Sequence, residues 1–172
     1  MDHADWVNAA LQKLESSGPD GQAAVNFINS RHVRIDFRRQ GQATGAMWWI
    51  DGNLYLNPDT YSDASSPEDA YMLSLIAHEA LHLWQGLFTA LSRYGEFQAW
   101  QAGFRVLKSL DPSQMSPVME QILALPFGWN RGVIRQAAAL MVAYDPGYHI
   151  NWLPVYPLGQ EVWYGLTREV PM

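Results

Sequence analysis

Ser66-Pro67-Glu68-Asp69-Ala70-Tyr71-Met72-Leu73-Ser74-Leu75-Ile76-Ala77-His78-Glu79-Ala80-Leu81-His82-Leu83-Trp84-Gln85-Gly86 is the stretch from which the rest of the chain is read. It begins with Ser66 as a cap, Pro67 at the first helical position, where a missing N–H costs nothing, and Asp69 three residues after the cap. The pattern predicts a helix from about Pro67 to Gln85, ended by Gly86. At about 100° per residue, Met72, Leu73, Ile76, Ala77, Ala80, Leu83, Trp84 and Leu87 fall on one arc, the face expected to lie on the core. Tyr71, Ser74, His78, His82 and Gln85 fall on the opposite arc. That arc carries His78-Glu79-Ala80-Leu81-His82, the pattern H-E-x-x-H. Residues four apart on a helix stand about 40° apart around its axis, so both imidazoles leave one face where they can grip a single ion. An isolated pair of histidines at this spacing is ordinarily structural. Here Glu79 follows the first of them, where a water activated by the ion needs its base.

Composition limits what such an ion can be held by. The chain has 172 residues and no cysteine, so thiolate zinc sites, iron–sulfur clusters and cysteine nucleophiles are excluded, and any metal must be held by His, Asp or Glu. One domain spanning 1–172 is expected at this length. Charged residues are 16% against 48% apolar, which describes a folded globule and not a disordered chain. A net charge of −6 with two lysines argues against nucleic-acid binding. The first residues are acidic where a signal peptide would be basic, and no 18 consecutive apolar residues occur, so a cytoplasmic protein without membrane attachment is expected.

Before the central helix, Trp6, Val7, Ala10, Leu11 and Leu14 have helical spacing over Ala4 to Glu15, and a second helix is expected from Asp20, as cap, to about Asn29. Val33, Ile35 and Phe37 then alternate with charged residues, the pattern of a half-buried strand. Ala46-Met47-Trp48-Trp49-Ile50 and Leu54-Tyr55-Leu56 flank Asp51-Gly52-Asn53, a tight hairpin turn. A small antiparallel sheet is the expectation, with Gln40 to Gly45 as its other turn. Its edge is expected at Leu54 to Leu56, because Pro58 follows there and the apolar Met47 to Ile50 reads as covered on both faces. After the central helix, helical patterns run over Gly95 to Leu110, Ser116 to Leu125 and Asn130 to Tyr144. From Pro146 onward, Pro154, Pro157 and Pro171 among Trp152, Tyr156, Trp163 and Tyr164 read as an irregular tail packed over the domain. The fold class is therefore α+β: a small sheet packed on the helix that carries the motif, with further helices C-terminal to it.

A catalytic zinc commonly takes three protein ligands and leaves a fourth place open. Glu96, 14 residues after His82, is the strongest third candidate, because it opens a helix whose small Ala99 and Gly103 share its face and permit close approach. His78-Glu79-x-x-His82 followed by Glu96-x-x-Ala99 on the next helix resembles the gluzincin branch of the zincin metallopeptidases. The hairpin before it and the short spacing are similar to those of compact ImmA/IrrE-like peptidases. The likeness covers roughly residues 33 to 108. It is not metzincin-like, since Gln85 and Phe88 stand where that pattern wants Gly and His, and no Asp follows Glu96 as in the thermolysin-like pattern.

The resemblance implies a zincin-like fold, one Zn2+ per chain held by His78, His82 and Glu96, and Glu79 as general base in hydrolysing a peptide or protein substrate. It also implies that substrate lies along a sheet edge. His149, Tyr148 and Tyr144 are candidates for an oxyanion donor, and His3 and His32 are read as structural. The alternative is a catalytically inactive zincin-like module that binds a partner protein, its cleft filled by the aromatic tail.

Overall fold

Two capped helices open the chain. The computed structural model describes residues 2–39 and 45–169. In α1 (His3–Glu15), the Asp2 carboxylate accepts the Asp5 N–H at 2.8 Å, and Trp6, Ala10 and Leu14 are buried on one face. In α2 (Pro19–Arg31), Pro19 takes the first helical position, one residue ahead of the expected cap Asp20, and His32 closes the helix in the left-handed conformation.

The strands are β1 (Ile35–Phe37), β2 (Ala46–Trp48) and β3 (Leu54–Leu56), in the order β1-β3-β2. The hairpin between β2 and β3 is as expected, with Gly52 at φ 80° in its turn. The sheet itself is mixed and not antiparallel: β1 joins the far side of β3 in parallel register, Ile35 opposite Leu54 and Phe37 opposite Leu56. Ile35, from the alternating set of β1, is buried together with Leu54 and Leu56, but period-2 patterning is blind to strand order. The expected edge is corrected with it. β3 is central, Pro58 lies beyond its end, and β2 is an edge. The expected turn over Gln40 to Gly45 lies, apart from Gly45, outside the described residues.

The central helix, α3 (Ala70–Gln85), starts three residues later than the expected Pro67, with Asp69 and not Ser66 as its cap; the Asp69 carboxylate accepts the Met72 N–H at 2.7 Å. Ser66 instead closes a turn, accepting the Asp69 N–H on its carbonyl. The predicted core arc is buried from Met72 to Ala80, but Trp84 is 64% exposed, because the helix outruns the core at its C-terminal end. After α4 (Leu87–Ala90) come α5 (Arg93–Leu110), capped by the Ser92 hydroxyl, α6 (Pro117–Ala124) and α7 (Arg131–Tyr144).

The tail is not irregular. It holds a short 3-10 turn at Ile150–Trp152 and α8 (Leu158–Thr167). α8 is tied down by its polar side: Glu161 accepts from Arg131 at 2.6 and 3.1 Å and from the Tyr156 N–H at 3.0 Å, and Arg131 lies 4.6 Å from the Tyr164 ring centre. No helix among the described residues is long and apolar enough to cross a membrane.

The result is an α+β domain with two buried clusters. One gathers α1, α2, the sheet and the inner face of α3 around Trp6, Leu14, Leu56 and Met72. The other gathers α5, α6, α7 and the tail around Phe97, Leu107, Ile134 and Tyr156. α3 and α5 pack along each other at the seam. Gly103 is what permits it: a Cβ there would stand 2.9 Å from the Ser74 carbonyl oxygen.

Candidate metal centre

The arc of α3 that carries the histidines faces α5 across this seam. His78 Nε2 and His82 Nε2 lie 3.0 Å apart, and Glu96 Oε2, from the first turn of α5, lies 3.6 Å from the first and 3.4 Å from the second. Four-coordinate zinc with bonds of ~2.0–2.1 Å sets its ligand atoms ~3.3 Å apart, so these three atoms have the spacing of one face of such a tetrahedron. Two imidazole nitrogens and a carboxylate also suit iron, cobalt or manganese. Glu79 also brings an oxygen within 4.8 Å of both imidazoles. Its Oε2 also accepts the Trp48 N–H at 3.0 Å, which engages one oxygen of Glu79 with β2, while Glu96 Oε2 is the carboxylate oxygen in ion-pair range of both ring nitrogens.

Burial makes this cluster electrostatically demanding. His82 is 2% exposed, and the side chains of His78 and Glu96 are 14% and 13% exposed. Burial is the strongest single influence on His82 and lowers its pKa, but the charge and hydrogen bond of Glu96, the charge of Glu79 and the Gln85 hydrogen bond together outweigh it, and the net shift is upward. Burial pushes Glu96 up, yet His82 first and then His78 hold it well below its ordinary 4.5. Two nitrogen lone pairs and a carboxylate at this spacing are stable around a cation, whether a proton or a metal ion.

The surrounding contacts fix each group. Tyr148 donates its hydroxyl to Glu96 Oε2 and accepts from Trp100 Nε1 at 3.3 Å. Burial and then the Glu96 charge raise the Tyr148 pKa well above 10, so it is a neutral donor. His82 Nδ1 is 3.1 Å from Gln85 Oε1. His78, Glu79, His82, Glu96 and Tyr148 line a cleft of about 460 Å³ whose other walls are Gly45 to Trp48 and the aromatic side of Tyr71, Trp100, Phe104 and Tyr144.

The structure thus brings His78, Glu79, His82 and Glu96 together as the sequence predicted. Of the three oxyanion candidates, Tyr148 is the one that reaches this cluster, through Glu96. Tyr144 lines the cleft with its hydroxyl 3.3 Å from that of Tyr71, and His149 stacks on the exposed Trp152 away from it. His3 is structural as expected, bridging Asp63 at 2.7 Å and the Ile35 carbonyl at 3.0 Å, and His32 closes α2. Sequence reasoning missed the Trp48 N–H on Glu79, for which a backbone donor leaves no signal. It also missed Gln85, whose place on the histidine arc was the available signal. No family model, curated protein or solved structure matches the chain.

Proposed function

We propose that this protein is a zinc-dependent peptidase of zincin-like, gluzincin type, with His78, His82 and Glu96 as metal ligands and Glu79 as general base. The observation that carries the reading is the triangle of 3.0, 3.4 and 3.6 Å between three ligand atoms, beside a carboxylate that is not needed to complete it. A bound divalent ion supplies Lewis-acid polarisation of water and of the substrate carbonyl. The protein supplies the proton handling. With Oε2 held by the Trp48 N–H, Glu79 has a fixed orientation from which its other oxygen takes the proton of the attacking water and returns it to the leaving amine. Tyr148 donates its one O–H to the proposed ligating oxygen of Glu96, so it serves an oxyanion in the cleft only by turning that O–H away from Glu96.

The edge strand gives substrate a place. The Gly45 carbonyl accepts from the Asn57 N–H and the Trp49 N–H donates to the Asn53 carbonyl, the residues flanking β3, so Ala46 and Trp48 turn their backbone groups to the opposite edge, where the Trp48 N–H meets Glu79. An extended peptide pairing with Ala46 lies along the cleft as an added strand. No described residue lining the cleft is Lys or Arg, so none of them offers a cation to a free C-terminal carboxylate. Glu79 and Asp145 line it instead. Internal peptide bonds, or bonds near an amino terminus, fit this lining better than the last bond of a chain.

Metal analysis and an end-blocked peptide library test the proposal. One zinc per chain is expected, and Glu79→Gln is expected to keep the metal while lowering kcat/KM by ~10²–10⁴-fold. Wild-type protein that holds zinc and cleaves nothing would instead be the inactive, partner-binding module.

A further inference from the structure

Gln85 is a three-way clamp whose orientation is fixed by α5. Its amide nitrogen is 3.1 Å from the Gly95 carbonyl oxygen and 2.9 Å from Gln98 Oε1. A backbone carbonyl only accepts, so the amide must present its N–H groups to α5 and its oxygen to His82. His82 Nδ1, at 3.1 Å from that oxygen, must then carry the proton. Neutral His82 is thereby held as the tautomer whose Nε2 lone pair points at His78 Nε2 and Glu96 Oε2. The same amide bonds the residue directly before Glu96, so one side chain sets both the ring of the second histidine and the start of the helix bearing the carboxylate.

The chemistry explains why the residue is Gln. A carboxylate at 85 would face the Gly95 carbonyl oxygen with a second oxygen at about the same distance, and two acceptors repel. Asn is one methylene short of spanning from α3 to α5. Only an amide of this length accepts at one end and donates twice at the other. It orients the imidazole without adding charge to a cleft already holding Glu79, Glu96 and Asp145.

We infer that Gln85 is the positioning residue of the metal centre, coupling the tautomer of His82 to the placement of Glu96; this rests on the metal reading given above. The test is zinc affinity by chelator competition for wild type and Gln85→Met, which keeps chain length and loses all three hydrogen bonds, together with ¹⁵N NMR of the His82 ring in the zinc-loaded wild-type protein. The expected results are a ~10–100-fold loss of affinity, the range found for outer partners of ligating histidines, and a proton on Nδ1 with zinc on Nε2. Affinity within threefold of wild type, or zinc on Nδ1, overturns the inference while leaving the metal centre standing. Absence of zinc binding in the wild type overturns both. If Gln85→Met does not fold, the wild-type spectrum decides alone.

Discussion

Two helices deliver the three atoms proposed as ligands, and they do so by different physics. His78 and His82 are set by one helix, since four residues of regular α3 place their rings on the same face whatever surrounds them. Glu96 stands on a different helix, 14 residues on, and reaches the same point only through packing. Gly103 lets α5 approach α3, Gln85 bonds the residue before it, and Tyr148 from beyond α7 holds its oxygen. The histidine pair is therefore a local feature and the third vertex a tertiary one. Perturbing the packing should move the second and spare the first.

The largest effects come from removing the vertices themselves. His82→Ala deletes a ligand that is 2% exposed and is expected to abolish stoichiometric zinc binding. Glu96→Gln keeps the shape and removes the charge, so a weakened site resting on the two histidines should remain, measurable by calorimetry with zinc. If Glu96→Gln binds as tightly as wild type, Glu96 is not the third vertex, and Glu79 becomes the carboxylate to test there.

A subtler break acts on the packing alone. Alanine at 103 would place its Cβ 2.9 Å from the Ser74 carbonyl oxygen, so the helices must part. Strain of this kind costs ~1–3 kcal/mol, against the ~1 kcal/mol that Ala gains over Gly in a helix. Gly103→Ala is expected to lower the melting temperature and, because Glu96 rides on α5, zinc affinity with it. At Gly165 in α8 an added methyl group would meet nothing within 4 Å, so Gly165→Ala should stabilise by ~0.5–1 kcal/mol and leave zinc affinity unchanged. Equal zinc affinity in both variants would mean that the α3–α5 spacing does not set the third vertex.

The same divide governs what could be read from the sequence. The H-E-x-x-H face, the buried arc of α3 and the hairpin at Asp51-Gly52 are local patterns, and all were legible. Glu96 was reachable because the small Ala99 and Gly103 advertised a close helix contact. The order of the strands was not, since joining β1 to the far side of β3 leaves the alternation of Ile35 and Phe37 unchanged. The start of α3 was displaced because Ser66 and Asp69 both offer capping oxygens, and Asp69 is the one that reaches an amide of the first turn. α8 was hidden because its anchor, Arg131 to Glu161, spans 30 residues of sequence, while the prolines before it suggest an irregular backbone path. Gln85 lay on the right arc, but its meaning depends on acceptors supplied by α5.

The smallest expected effects distinguish the two cores on either side of the seam, each of which has its own titrating anchor. On the sheet side, the Asp63 hydrogen bond outweighs burial and raises His3 above its ordinary 6.5. On the tail side, burial pushes Glu161 up most strongly, but the hydrogen bonds from Arg131 and the Tyr156 N–H, with the charges of Arg131 and Arg135, together hold it below its ordinary 4.5. A raised histidine contributes stability that is full below 6.5 and is lost as pH rises through the folded value. A lowered carboxylate contributes stability that is full above 4.5 and is lost as pH falls through the folded value. Thermal melts of wild type, His3→Gln and Glu161→Gln from acid to mildly alkaline pH separate the two, and the proposed ligand residues, unchanged in all three proteins, cancel in each difference. The His3→Gln penalty is expected to fade towards high pH and the Glu161→Gln penalty to fade towards low pH. Both groups are partly exposed, so each penalty is small and the direction is the readout. Penalties that shrink in the same direction would mean that one of the two groups is shifted the other way, so that its anchor does not favour the charged form in the folded protein.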